Sequence, residues 1–132
     1  MNIPSEHITV DCAENCGNSP KKELLKDLTI AHAKHDIDFC LDWLTDDVVW
    51  DMIGDQSIQG KRDVEKILKQ WKDHKVQHLR IQNIITHGDT GSVNGTITFS
   101  DQQSVAFCHV YNFRGFGKKA KIKTITSYMI QL

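Results

Sequence analysis

Apolar residues first recur with helical spacing between Leu24 and Ala31, where Leu24, Leu25, Leu28 and Ala31 form one stripe, the signature of an amphipathic helix. Ser19 can cap this helix, and Pro20 suits its first position because the missing amide proton would have had no partner there; the pattern predicts a helix running to about His35. Asp36 can cap a second, short helix in which Ile37, Cys40, Leu41 and Leu44 keep the same spacing, with Phe39 and Trp43 as a further i, i+4 pair. Apolar on too many sides for a surface helix, it is expected to lie between the first helix and a sheet. A third helix is predicted over Lys61 to Asp73: Val64, Ile67, Leu68 and Trp71 share a face, with Asp63 and Glu65 early and Lys69 and Lys72 late, the charge order that suits the helix dipole.

The remaining periodicity is that of strands. Val48, Val49 and Trp50 run directly into Asp51, with Gly54 and Gly60 flanking a second short extended run, which reads as a buried strand carrying one acid. Successive side chains of a strand alternate in direction, so Trp50 and Asp51 must face opposite ways. From Val76 the texture is extended throughout: Gln77 to Thr86, Gly91 to Ser100, Ser104 to Arg114 and Ala120 to Ile130 are dense in β-branched and aromatic residues. Turn formers separate them at His87-Gly88-Asp89, Ser100-Asp101-Gln102 and Gly115-Phe116-Gly117, predicting an antiparallel meander, with Asn94-Gly95 as a bulge inside its strand. Helices gathered ahead of an antiparallel sheet define an α+β domain, a curved sheet wrapped around three helices with a hollow between the layers. Residues 1–18 have no sustained periodicity beyond a brief Ile8, Val10 alternation suited either to an edge strand or to an arm across a neighbour, and read as an N-terminal arm; residues 19–132 read as a single domain.

At 132 residues the chain has the size of one domain with a sizeable core. Sixteen basic against seventeen acidic residues give a formal charge of −1, which supplies no field for nucleic acid or an anionic membrane. No apolar run approaches the roughly 20 residues of a membrane span, and the first residues lack the pattern of a secretory signal, so the chain is expected in the cytoplasm. Cys12, Cys16, Cys40 and Cys108 are too scattered for a disulfide framework and are expected as thiols. Cys40 and Cys108 lie in apolar segments and read as core, while Cys12 and Cys16 match neither a redox pair nor a zinc knuckle.

Several segments together carry a resemblance: Asp36-Ile37-Asp38, the run Leu44 to Trp50 with its acidic pair Asp46-Asp47, then Ile58-Gln59-Gly60-Lys61 leading into the third helix, and Phe107 to Phe113 with Tyr128. Over roughly Pro20 to Ile130 the chain resembles the nuclear transport factor 2-like superfamily, the cone-shaped fold of ketosteroid isomerases, SnoaL-type polyketide cyclases and scytalone dehydratase. That resemblance implies a cone-like pocket, frequently a homodimer formed through the sheet, and no fixed chemistry. In the ketosteroid isomerases a carboxylate at the end of the first long strand is the base, assisted by a tyrosine on the first helix and a protonated aspartate on a late strand. Alignment on Gly54 puts Asp51 at the base position; alignment on Asp46-Asp47 puts Met52 there and turns Asp51 outward. The helix tyrosine has no counterpart, Leu28 lying near its place, and the late-strand acid falls at or near His109.

The resulting expectation is a small apolar ligand, bound without cofactor or metal, in a pocket lined by Leu28, Trp50, Asn94, Phe107, Tyr111 and Tyr128, with Asp51 and His109 as an acid–base pair for isomerisation, dehydration or cyclisation. Two plainer readings stand beside it: Asp51 bridges at a strand end while His109 satisfies a core hydrogen bond, or the interior is packed and the exposed sheet face serves a dimeric scaffold or ligand sensor. His32 with His35, and His74 with His78, lack a third ligand at useful spacing and read as solvated or capping residues. The basic cluster of Arg114, Lys118, Lys119, Lys121 and Lys123 reads as a solvated hairpin guarding a sheet edge rather than a nucleic-acid contact.

Overall fold

A computed structural model describes residues 8–13 and 19–132. The element order is β1 (Thr9–Cys12), α1 (Pro20–Ala33), α2 (Ile37–Asp42), β2 (Leu44–Met52), β3 (Ser57–Gln59), α3 (Lys61–Gln70), β4 (Val76–His87), β5 (Thr90–Phe99), β6 (Ser104–Phe113) and β7 (Ile122–Gln131). Both expected caps form: the Ser19 hydroxyl accepts from the Lys22 amide and an Asp36 carboxylate oxygen from the Phe39 amide, each at 3.3 Å. α1 and α3 end two to three residues earlier than the apolar spacing alone predicts, closing at Lys34 and Trp71. At Gly60 the backbone takes φ of 90°, open chiefly to glycine, as it turns from β3 into α3.

The strands form a seven-stranded sheet in the order β1-β4-β5-β6-β7-β2-β3. β4 to β7 pair antiparallel in succession, the meander expected from their turns. β7 then pairs parallel with β2, and β3 closes that edge antiparallel to β2. At the other edge β1 lies parallel to β4, so part of the N-terminal arm is an edge strand, the option that the Ile8, Val10 alternation left open. The bulge expected at Asn94-Gly95 falls on the partner strand: Gly95 pairs with Ile81 and Asn94 with Asn83, leaving Gln82 as the extra residue on β4.

The three helices cover the concave face of this sheet, and Leu25, Leu28, Val48, Val64, Leu79, Val93 and Phe113, all 5 % exposed or less, fill the space between. α1 packs on β4 and β5, α3 on β2, and α2 bridges α1 and α3. Cys40 is buried and Cys108 half-buried, both as thiols. Cys12 is disulfide-bonded, correcting the expectation of a thiol there; Cys16 lies outside the described residues. No helix among the described residues is long and apolar enough to cross a membrane.

Candidate functional site

Strand alternation determines which side chains reach the concave face. Val105, Phe107, His109, Tyr111 and Phe113 of β6 point inward, as do Ile125 and Ser127 of β7 and Val48, Trp50 and Met52 of β2. The layers do not fill completely. A cavity of about 220 Å³ remains, lined from α1 by Thr29, His32 and Ala33, from α3 by Trp71, and from the sheet chiefly by Phe107, His109 and Tyr111. The exposed side chains of His74 and Met129 mark its mouth. A smaller hollow of about 40 Å³, bounded by Leu28, Trp50, Val64 and Ile125, shares His32, His109 and Tyr111 with it.

Among the described residues no carboxylate or amine lines the larger cavity, and the ionisable groups there are His32, His35, His74, His109 and Tyr111. His109 is 5 % exposed, and burial away from water together with nearby His32 lowers its pKa from 6.5 to about 3. Burial and neighbouring His35 lower that of His32 to about 4. Both imidazoles are therefore neutral at pH 7. The Tyr111 hydroxyl is driven well above its usual range by burial and remains protonated. Burial also lowers the pKa of His35, although its Nε2 meets the His74 carbonyl oxygen at 3.1 Å.

The rings interlock. His32 stacks on Trp71 with centroids 6.0 Å apart and meets Trp50 edge-on at 5.9 Å, while Trp50 and Trp71 form a T at 5.6 Å. His109 stacks on Phe107 at 5.1 Å. At the mouth, His74 stacks on Phe99 at 3.8 Å. Behind His109, its Nδ1 lies 2.6 Å from the hydroxyl oxygen of Ser127, which also accepts the indole N–H of Trp50 at 2.8 Å.

Of the residues singled out from sequence, Phe107, His109 and Tyr111 line the larger cavity, and Leu28 and Trp50 the smaller one. Asp51 does not join them. It is exposed, in a row with Thr126 and Val110 on the convex face, whereas Met52, Ser127 and His109 form the adjacent row on the concave face. The expected Asp51–His109 pair is thus separated by the thickness of the sheet, and the alignment that turned Asp51 outward is the one realised. Asn94 and Tyr128 share a convex-face row with Cys108 and leave the pocket for the same reason.

His32, expected as a solvated or capping residue, instead lines the cavity. It continues the stripe of Leu25 and Leu28 at i+7 and i+4, the one signal that could have placed it inside. Ser127 could have been found by its alternation with Ile125. Nothing local in the sequence brings Trp71, Phe99 or His74 to the mouth. Among the described residues no three His, Cys, Asp or Glu side chains are grouped so as to hold a metal ion.

Solved structures with this architecture include an NTF2-like protein of unknown function from Cytophaga hutchinsonii, 22 % identical, covering 82 % of this chain and 97 % of its own with a TM-score of 0.62. Another, from Burkholderia xenovorans, is 19 % identical over 83 % of this chain and 82 % of its own, with a TM-score of 0.70. A third is the epoxide hydrolase/cyclase-like enzyme SalBIII, which has a role in pyran ring formation in the polyether salinomycin; it is 12 % identical over 83 % of this chain and 90 % of its own, with a TM-score of 0.68. At such identities the likeness is one of fold. Among functionally curated proteins none matches significantly. The sequence profile of the SnoaL-like domain matches residues 27–122, most of the chain, including the second half of α1 and all of β6. The chain belongs to the SnoaL-like domain family.

Proposed function

We propose that this protein binds a small, largely apolar molecule in the cavity between α1 and the concave face of β5 to β7. The observation that carries this reading is the cavity itself: about 220 Å³, walled mainly by aromatic and aliphatic side chains, with a few neutral polar groups inside. Binding is favoured over general-base catalysis by the groups present. Imidazoles with pKa lowered to about 3 and about 4 are weak bases, and the one strand acid expected in that role faces solvent. Cofactor-free isomerisation or cyclisation, the second reading, draws its support from the SnoaL-like family and would run through His32 and His109.

The test is titration with α-tetralone, a bicyclic ketone small enough for this space, followed by proton–nitrogen NMR. Shifts should concentrate at His32, Phe107, His109 and Tyr111; a titration that moves none of them removes the reading. Asp51→Asn should leave the affinity within about twofold, because an exposed residue on the far face contributes nothing to the cavity. A tenfold loss in that variant would return Asp51 to the site.

A second copy of the chain is the partner assigned to the convex face. Around the middle of β5, β6 and β7 that face is uncharged: Ser92, Asn94, Ala106, Cys108 and Thr126 surround Tyr128 and Ile130, which are 46 % and 65 % exposed. Such a surface can meet its own copy without burying like charges. Sedimentation should therefore give a dimer at micromolar concentration, and Tyr128→Asp, which places two carboxylates in the shared contact, should give a monomer; a wild-type monomer ends the assignment.

A further inference from the structure

The hydrogen bonds behind His109 restrict which of its nitrogens carries the proton. An indole N–H can only donate, so the Ser127 oxygen is the acceptor in its 2.8 Å contact with Trp50. The hydroxyl's own proton then needs an acceptor, and Nδ1 of His109, 2.6 Å away, is the other side-chain atom bonded to it among the described residues. Were Nδ1 protonated instead, the Ser127 oxygen would receive two donors and its proton would be left without a partner in a site 2 % exposed. The remaining nitrogen, Nε2, has no protein partner among the described residues, nor is it one of the fully enclosed unpartnered atoms, so it opens onto the cavity that the ring lines.

We infer that Trp50 and Ser127 are positioning residues that hold His109 as the tautomer protonated on Nε2, giving the cavity a fixed N–H donor and selecting apolar ligands that bear an acceptor oxygen: ketones, ethers or esters. The selection rests on the cavity being a ligand site; the tautomer does not. The donor sits in aromatic surroundings, stacked on Phe107 and beside Tyr111, where a ligand oxygen that meets it gains a hydrogen bond in place of water and a hydrocarbon of the same shape leaves it unpaired.

Long-range proton–nitrogen NMR of the wild-type protein at neutral pH tests the tautomer directly, and the inference expects the Nε2-protonated pattern for His109. In Ser127→Ala, with the acceptor interaction on Nδ1 gone, the pattern should move toward a mixture of tautomers, a change that packing alone would not cause. The ligand arm compares α-tetralone with the hydrocarbon tetralin. Wild type should prefer the ketone by about tenfold, and Ser127→Ala should reduce that preference to about twofold. A His109 protonated on Nδ1 in the wild type overturns the inference whether or not the variant folds, and so does a ketone preference that survives unchanged in Ser127→Ala. If neither compound binds while the Nε2-protonated pattern is present, the cavity reading and its ligand selection fall and the role of Trp50 and Ser127 stands.

Discussion

Acidification should unfold this protein well before its carboxylates are fully protonated. In the unfolded chain His32 and His109 take up protons around pH 6.5, whereas in the folded chain they resist until about 4 and about 3. Between those limits the unfolded state binds more protons, so stability falls as the pH drops from 6.5, and the contribution is complete and flat above it. Each buried ring makes the loss on the order of 3 kcal/mol by about pH 4, about 6 kcal/mol for the two, a large share of the stability of a domain this size. Urea unfolding measured at several pH values between 7 and 4 checks this. His109→Gln should flatten the dependence even if the variant starts from a lower stability, and a wild-type profile level across that range would mean that the rings reach water and are not buried bases.

The second large effect belongs to a residue with no chemistry. Gly95 sits where β5 passes the bulge of β4, and a Cβ added there would overlap the carbonyl oxygen of Arg80, a backbone atom that cannot swing aside. Gly95→Ala is therefore expected to cost about 3 kcal/mol or more, at or beyond the upper end of ordinary overpacking, because relief requires the two strands to separate. Thermal unfolding of the variant measures it. A loss below about 1 kcal/mol would show that the bulge can relax, and that the close approach is not what shapes the sheet. Gly91→Ala makes a useful contrast: its Cβ would come within 2.5 Å of the Leu25 side-chain tip, which can rotate, so a smaller loss is expected there.

The distribution of what could be read from sequence follows from the range of the forces involved. Helices and strands are specified by local spacing, so Ser19, Pro20, Asp36 and the turns at Gly88, Asp101 and Gly115 placed nearly every element, and the sequence of helices before strands placed the layers. The face of a lone polar residue is harder. Val48 and Trp50 point inward and Val49 and Asp51 outward, yet both pairs are equally compatible with a strand that has apolar side chains on each side. Only the pairing with β7, which sets Asp51 beside Thr126, decides it. His109 was reached through the family resemblance, which sets a late-strand acid at or near it, and it lies in the inward series of Phe107, Tyr111 and Phe113. For His32 and Ser127 the local pattern could give only the face, through the α1 stripe and the alternation with Ile125; their partners come from strands and helices far apart in the chain, which bring Trp50, Trp71 and His109 around them.

The parallel pairing of β2 with β7 joins residues 44–52 to residues 122–131 and has a consequence for synthesis on the ribosome. Contacts so distant in sequence are slow to close and cannot begin until their later partner emerges. A nascent chain halted before β7 has β2 without its parallel neighbour and His109 without Ser127. The cavity is then unfinished, and its aromatic lining is exposed to chaperones until translation delivers the final strand.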